Sequence, residues 1–242
     1  MRIDTYFTTA EVDPQSLATS VVVVIDVIRA TTTMTEALAN GARAIYPTAS
    51  TEDAVRLAQS FGREDTVLCG ERKGVKVEGF DLGNSPREFT AEAVGGKRLV
   101  MSTTNGTRAL VAGAEGARLV VCALTNLGAV AEALSGSEKV AILCAGKEDE
   151  FSIEDALCAG ALVARIRDVA DEPPALNDAS RAALVLADSL HPDRAVLADS
   201  AAGEVLSEIG LADDLEICAD VDRHGIVPEM KDQAITATVE RS

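Results

Sequence analysis

The chain has 242 residues, 22 Lys+Arg against 39 Asp+Glu, a net charge of −17 and 47% hydrophobic side chains. That is ample apolar material for one globular domain over residues 1–242, with a sub-division conceivable only near 171–174, and it excludes a disordered chain or a small disulfide scaffold. A surface this acidic also argues against nucleic acid as a partner, because phosphate backbones repel it.

The elements follow in chain order. Met1 to Phe7 carries an acid and no long apolar stretch, so no signal peptide is expected. Val21 to Ile28 is a nearly unbroken apolar run and predicts a strand buried on both faces. A short helix follows over 32–40, stopped by Asn40-Gly41. A strand at 44–46, an amphipathic helix at 51–61 and a strand at 66–69 come next. The stretch from Gly70 to Gly95 has little periodicity but many glycines and charges, and irregular loops of that length are usually functional. Beyond it the pattern predicts strand 98–102, helix 107–112, strand 118–123, helix 127–134, strand 139–144 and helix 153–169. Asp171-Glu172-Pro173-Pro174 is the one linker-like stretch, followed by helices at 178–189 and 200–209 and a short strand at 215–219. No run approaches the roughly 20 apolar residues of a membrane-spanning helix. The five cysteines show no CxxC or zinc-ligand spacing and mostly end apolar runs, which suits buried thiols in a reducing cytoplasm. Alternating strands and helices imply an α/β fold, a three-layer αβα arrangement with a largely parallel or mixed central sheet. Ligands of such sheets gather beyond the carboxyl ends of the strands.

Four constellations stand at those ends. In Ile25-Asp26-Val27-Ile28-Arg29-Ala30-Thr31-Thr32-Thr33 a carboxylate interrupts an apolar run and three threonines open a helix. Burying Asp26 ionised costs several kcal/mol without a metal or cationic partner, Arg29 can grip a phosphate or sulfonate bidentately, and Thr31, Thr32 and Thr33 surround a helix start that favours anions. A purely structural account makes a threonine the helix cap and Asp26–Arg29 an ion pair. The segment Ser102-Thr103-Thr104-Asn105-Gly106-Thr107-Arg108 repeats the design of strand, hydroxyl cluster and helix start, with Asn105-Gly106 as a turn whose N–H groups form an anion nest. The irregular loop contributes Glu71, Arg72 and Lys73, then Asn84 and Ser85, although solvated charge alone explains the two cations. In the fourth, Ser152 and Asp155 have the spacing of a capping box, Glu154 is left over as a metal ligand or base, and Lys147 to Glu150 read as solvated surface. No Walker loop, dinucleotide fingerprint or nucleophile elbow is present, and the two histidines stand in loop-like contexts. Chemistry here therefore rests on carboxylates, hydroxyls and Mg²⁺, which bridges one or two carboxylates to phosphate oxygens.

Taken together, VIDVIRATTTMTEALANGA, CGERKGVKVEGFDLGNSPREF, STTNGTRAL and CAGKEDEFSIEDALCAG, with the tail around Cys218 and Pro228, resemble the 2-phosphosulfolactate phosphatase family of coenzyme M biosynthesis over nearly the whole chain. The resemblance implies a Mg²⁺-dependent hydrolase that converts (2R)-2-phospho-3-sulfolactate to 3-sulfolactate and phosphate, on a fold peculiar to the family. Asp26, Arg29 and Glu71 are then the expected catalytic groups, with Asp26, Glu71 and Glu154 as metal ligands. Thr31 to Thr33, Arg72, Asn84, Ser85 and the residues from Ser102 to Arg108 are expected to bind the small anionic phosphoester. A homodimer is an open expectation. The rival readings are a phosphatase of this family acting on another phosphorylated hydroxy acid, and a non-catalytic module that binds an anionic metabolite.

Overall fold

A computed structural model describes residues 1–62 and 64–238. In chain order its strands and α-helices are β1 (Arg2–Tyr6), β2 (Val21–Ile25), α1 (Ala30–Ala39), β3 (Ala44–Pro47), α2 (Thr51–Phe61), β4 (Thr66–Arg72), β5 (Val75–Lys76), α3 (Ala91–Val94), β6 (Arg98–Ser102), α4 (Gly106–Gly113), β7 (Arg118–Cys122), α5 (Leu127–Leu134), β8 (Lys139–Cys144), α6 (Ile153–Val169), β9 (Ala175–Leu176), α7 (Asp178–Ser189), α8 (Arg194–Ala198), α9 (Ala201–Glu208), α10 (Asp214–Cys218), β10 (Val227–Lys231) and β11 (Ala234–Thr238). They form a mixed α/β fold whose large central sheet runs β5-β4-β6-β3-β11-β10-β7-β2-β8-β1-β9. None of the described helices is long and apolar enough to cross a membrane.

Two parallel blocks make up most of the sheet. One is β4-β6-β3, the other β7-β2-β8-β1-β9, and the antiparallel hairpin β10–β11 joins them. Strand β2 explains its own composition. Val22 and Val24 enter a core with α1 and α4, while Val23 and Ile25 enter a second core with α5 and α6. Both faces are covered, so no polar position is tolerated until the strand ends. The core around α1 also takes Cys69 from β4 and Leu99 and Met101 from β6, so it packs both blocks over shared helices. That shared core brings the ends of β4 and β6 to the ends of β2 and β8.

Three departures from the sequence reading have local causes. The expected strand at 215–219 is helix α10, whose Leu215 and Cys218, three residues apart, enter the core while Glu216 points away. β1 shows no continuous apolar run because Arg2 and Asp4 form an ion pair along one edge. The hairpin β10–β11 carries Pro228 and charged Glu229 and Lys231, a composition that hides strands. The stretch 171–174 leads directly into β9, which pairs with β1.

Candidate active site

A cavity of about 300 Å³ lies at the carboxyl ends of β2, β4, β6 and β8. Of the residues singled out above, Asp26, Arg29, Glu71, Asn84, Thr104, Asn105 and Glu154 line it. Asp155, Lys73 and Lys147 line it too, and an apolar wall comes from Ile28 and from Ala202, Val205 and Leu206 of α9.

Asp26 follows the last residue of β2. Its Oδ1 accepts the Ala30 N–H at 3.1 Å, whereas Oδ2 has no hydrogen-bond donor among the described residues. Burial pushes its carboxyl up from 3.8 to about 7; the Ala30 N–H opposes this, Glu71 and Glu154 add to it, and Arg29 pulls it back. Glu154, in the first turn of α6, is only 4% exposed and makes no side-chain hydrogen bond among the described residues. Two buried carboxylates therefore reach the cavity with oxygens that no protein donor among the described residues neutralises.

Glu71 and Asp155 are already engaged. Glu71 accepts the Thr104 N–H at 2.7 Å on Oε1, and on Oε2 the Gly74 N–H at 2.7 Å and the Thr104 hydroxyl at 3.1 Å. It clamps two loops together. Asp155 accepts the Val27 N–H at 2.8 Å and the Gly146 N–H at 3.1 Å, tying the turn after β2 to the turn after β8. Burial, with Glu154 and Asp26 nearby, raises its carboxyl well above the usual range. Asp155 was expected to share a capping box with Ser152. Instead Ser152 makes no cap bond and its Oγ is unpaired, because the Asp155 side chain is drawn toward the loop N–H groups.

Arg29 is buried, and its partner is remote in sequence. Nη1 donates to Asp214 at 2.8 Å and Nη2 to the Gly74 carbonyl at 2.7 Å, while Ser85 Oγ donates to the second Asp214 oxygen at 2.6 Å. The ion pair that a structural account assigned to Asp26 is therefore made by Asp214, and Arg29 lines the cavity with donors to spare. Nothing local marks Asp214, which opens the misread helix α10.

The hydroxyl clusters are used unequally. Thr31, Thr32 and Thr33 are fully buried and donate inward, to the Asp26, Val27 and Asn84 carbonyls. They do not line the cavity. Around β6, Ser102 accepts from Arg72 Nη2 at 2.9 Å, and at the start of α4 Thr107 donates its N–H to Thr103 Oγ1 and its hydroxyl to the Thr103 carbonyl. Only Thr104 and Asn105 reach the cavity. Gly106 allows this approach, since a Cβ there would overlap Ala30 and stand 2.7 Å from Asp26 Oδ2. Arg108 turns outward to Asp149, and Asn84 lines the cavity with its Oδ1 unpaired.

The donor set suits a hard cation. Among the described residues no three His, Cys, Asp or Glu side chains form a ready metal cage. Mg²⁺ asks for less, one or two carboxylates completed by water and phosphate oxygens. Asp26 and Glu154 offer such a pair, buried, mutually repelling and short of protein donors.

The family model for 2-phosphosulpholactate phosphatase matches residues 6–233. A protein of Caldanaerobacter subterraneus subsp. tengcongensis named "Probable 2-phosphosulfolactate phosphatase" is 39% identical over 236 residues, 96% of each chain. Proteins with the same name from Synechococcus sp. (strain CC9605) and Clostridium beijerinckii are 43% and 35% identical, over 94% and 98% of this chain and 96% and 99% of their own.

Proposed function

The chain belongs to the 2-phosphosulpholactate phosphatase family, and from that premise we propose that it hydrolyses (2R)-2-phospho-3-sulfolactate to 3-sulfolactate and phosphate with the help of Mg²⁺. The observation that carries this reading is the pair of buried carboxylates, Asp26 and Glu154, with unneutralised oxygens in one cavity beside Arg29. Those two would hold Mg²⁺, which when bound neutralises phosphoryl charge and polarises the phosphorus centre.

The chain's own groups supply the rest. Phosphoryl transfer needs positioning and charge neutralisation more than covalent help from the protein. Arg29, held by Asp214 and the Gly74 carbonyl, presents its remaining N–H groups to a phosphate oxygen. Glu71 takes both donors of Thr104 and so fixes the loop from which the Asn105 amide meets the ester. The apolar wall of Ile28, Val205 and Leu206 limits the water that reaches the phosphate and faces the substrate's C–H groups. The same reading assigns the reaction to coenzyme M biosynthesis in the cytoplasm, in keeping with five free, buried cysteines.

The test is phosphate release from 2-phosphosulfolactate, 2-phospholactate and phosphoglycolate, with Mg²⁺ and with chelator. Fast Mg²⁺-dependent release from the sulfonate ester, with slow release from the others, is expected. Equal rates on all three would keep the phosphatase and discard this substrate. Silence on all three from folded protein would overturn the activity.

A further inference from the structure

In the sequence Lys147 reads as solvated surface and Lys73 as a loop cation that solvation alone explains, yet both line the cavity, on loops that belong to different strands. Each is held at its base. Lys73 and Gly74 form the two-residue turn between β4 and β5, with φ of 53° and 82°, as a tight hairpin turn requires. That turn is pinned through its backbone: the Gly74 N–H donates to Glu71, the Gly74 carbonyl accepts Arg29 Nη2, and the Lys73 N–H donates to Thr104 Oγ1 at 3.4 Å. Lys147 exchanges backbone hydrogen bonds with Glu150, and its Nζ donates to the Ala201 carbonyl at the start of α9, 2.9 Å away. Helix α9 abuts both loops, since Ile209, just past its end, and Val205 lie against Gly74. The two lysines therefore line one cavity from loops that follow different strands, β4 and β8.

The charge inventory then restricts what they do. Asp26, Glu71, Glu148, Glu154 and Asp155 line the cavity, against Arg29, Lys73 and Lys147. Arg29 stands on the residue stretch that carries Asp26 and is shared with Asp214, so it serves the phosphate end. A substrate with a second strong anion would be repelled by the surplus of carboxylates unless cations met that end as well. Of the expected arginines, Arg72 is spent on Ser102 and the Glu71 carbonyl, and Arg108 on Asp149. Among the described residues lining the cavity, only the two lysines are left.

We infer that Lys73 and Lys147 together form the subsite for the sulfonate of the substrate and so set specificity for a phosphoester that carries a second, permanently charged tetrahedral anion. A guanidinium fork grips two oxygens of an anion in one fixed plane. Two rotatable ammonium groups from different directions suit three oxygens on a cone. Lys147 keeps two N–H bonds after its contact with Ala201. This assignment rests on the phosphatase reading above and names the part of the site that chooses the substrate.

The experiment compares 2-phosphosulfolactate with 2-phospholactate, used as substrate or as competitive inhibitor, on the full chain, Lys73→Gln, Lys147→Gln and Lys147→Arg. For Lys147→Gln, kcat/KM on the sulfonate ester is expected to fall about tenfold, mainly through KM, with at most about a threefold change in kcat/KM or Ki for the lactate ester. Lys73→Gln is expected to shift in the same direction, and Lys147→Arg to recover most of the loss. Thermal melts and circular dichroism check that each variant is folded. Equal losses on both esters, or none on the sulfonate ester, would overturn the subsite while leaving the phosphatase in place. A wild-type chain that releases phosphate from neither and binds neither overturns the phosphatase reading, and the subsite with it.

Discussion

The turn after β2, from Asp26 to Thr33, and the turn after β6, from Ser102 to Arg108, both run from a buried strand through a cluster of hydroxyls into a helix. In the first, every threonine hydroxyl closes on a backbone carbonyl and the strand-end carboxylate is what faces the cavity. In the second, the strand-end Ser102 and Thr103 turn inward and the next two residues, Thr104 and Asn105, reach the ligand space. The difference follows from packing. Helix α1 begins against Asn84 and the two cores, so its first turn has no open side, whereas α4 begins with a glycine pressed on Asp26. The same local pattern builds a scaffold in one place and a ligand surface in the other.

The largest effect should come from the carboxylate that the first turn exposes. Asp26→Asn is expected to lower turnover by about three orders of magnitude. It should melt no earlier than wild type near neutral pH, because it removes a charge whose burial is unfavourable. Phosphate release and a thermal melt measure both, and an active variant would remove Asp26 from the mechanism. Arg29→Ala strikes at stability as well as at binding, because it leaves Asp214 buried without its cation. A loss of about 3–5 kcal/mol is expected, read by denaturant titration, and a variant of wild-type stability would show the ion pair to be dispensable.

The comparison itself is tested by a matched pair of variants. Thr32→Val strands the Val27 carbonyl and should cost about 1–3 kcal/mol without raising KM. Asn105→Ala should do the reverse, raising KM several-fold while the melt hardly moves. If Thr32→Val raised KM alone, the first turn would be a ligand surface after all. Gly106→Ala tests their contact: the added methyl meets Ala30 and Asp26, so a cost of about 1–3 kcal/mol and a drop in activity should appear together.

The smallest effect lies farther along α1. Glu36 is buried, which by itself raises its carboxyl, but His224 and Arg223 outweigh that and hold it below 4.5. A depressed folded-state value stabilises above the ordinary 4.5 and is lost as pH falls through the lower folded value. Melting temperature should therefore decline at acid pH less steeply in Glu36→Gln than in wild type, with KM unaltered at neutral pH. Identical acid profiles would show the contact to be without energetic weight.

Much of this was legible in one dimension. Strands covered on both faces, such as β2 and β8, announce themselves as apolar runs, and Asp26 stands out because it ends one. Glu71 is visible on the same ground, as a carboxylate at a strand end, and Glu154 as the carboxylate left over at the start of a helix. Asp214, Lys147 and the part that Asp155 plays were not. Asp214 meets Arg29 across 185 positions and Asp155 meets Val27 across 128, and no local spacing encodes such a contact. Helix α10 was misread because five residues with a mixed apolar pattern do not distinguish a single turn of helix from a short strand.

Local chemistry alone determined the alternation of strands and helices, the α/β class and the family to which the motifs point, since side-chain periodicity and strand-end residues are properties of short segments. Tertiary structure decided which of many similar polar groups face the ligand. Burial and the obligation to satisfy every buried N–H and C=O turned Thr31 to Thr33, Ser102 and Thr103 inward. The packing of α9 across two distant loops brought Lys73 and Lys147 to one cavity.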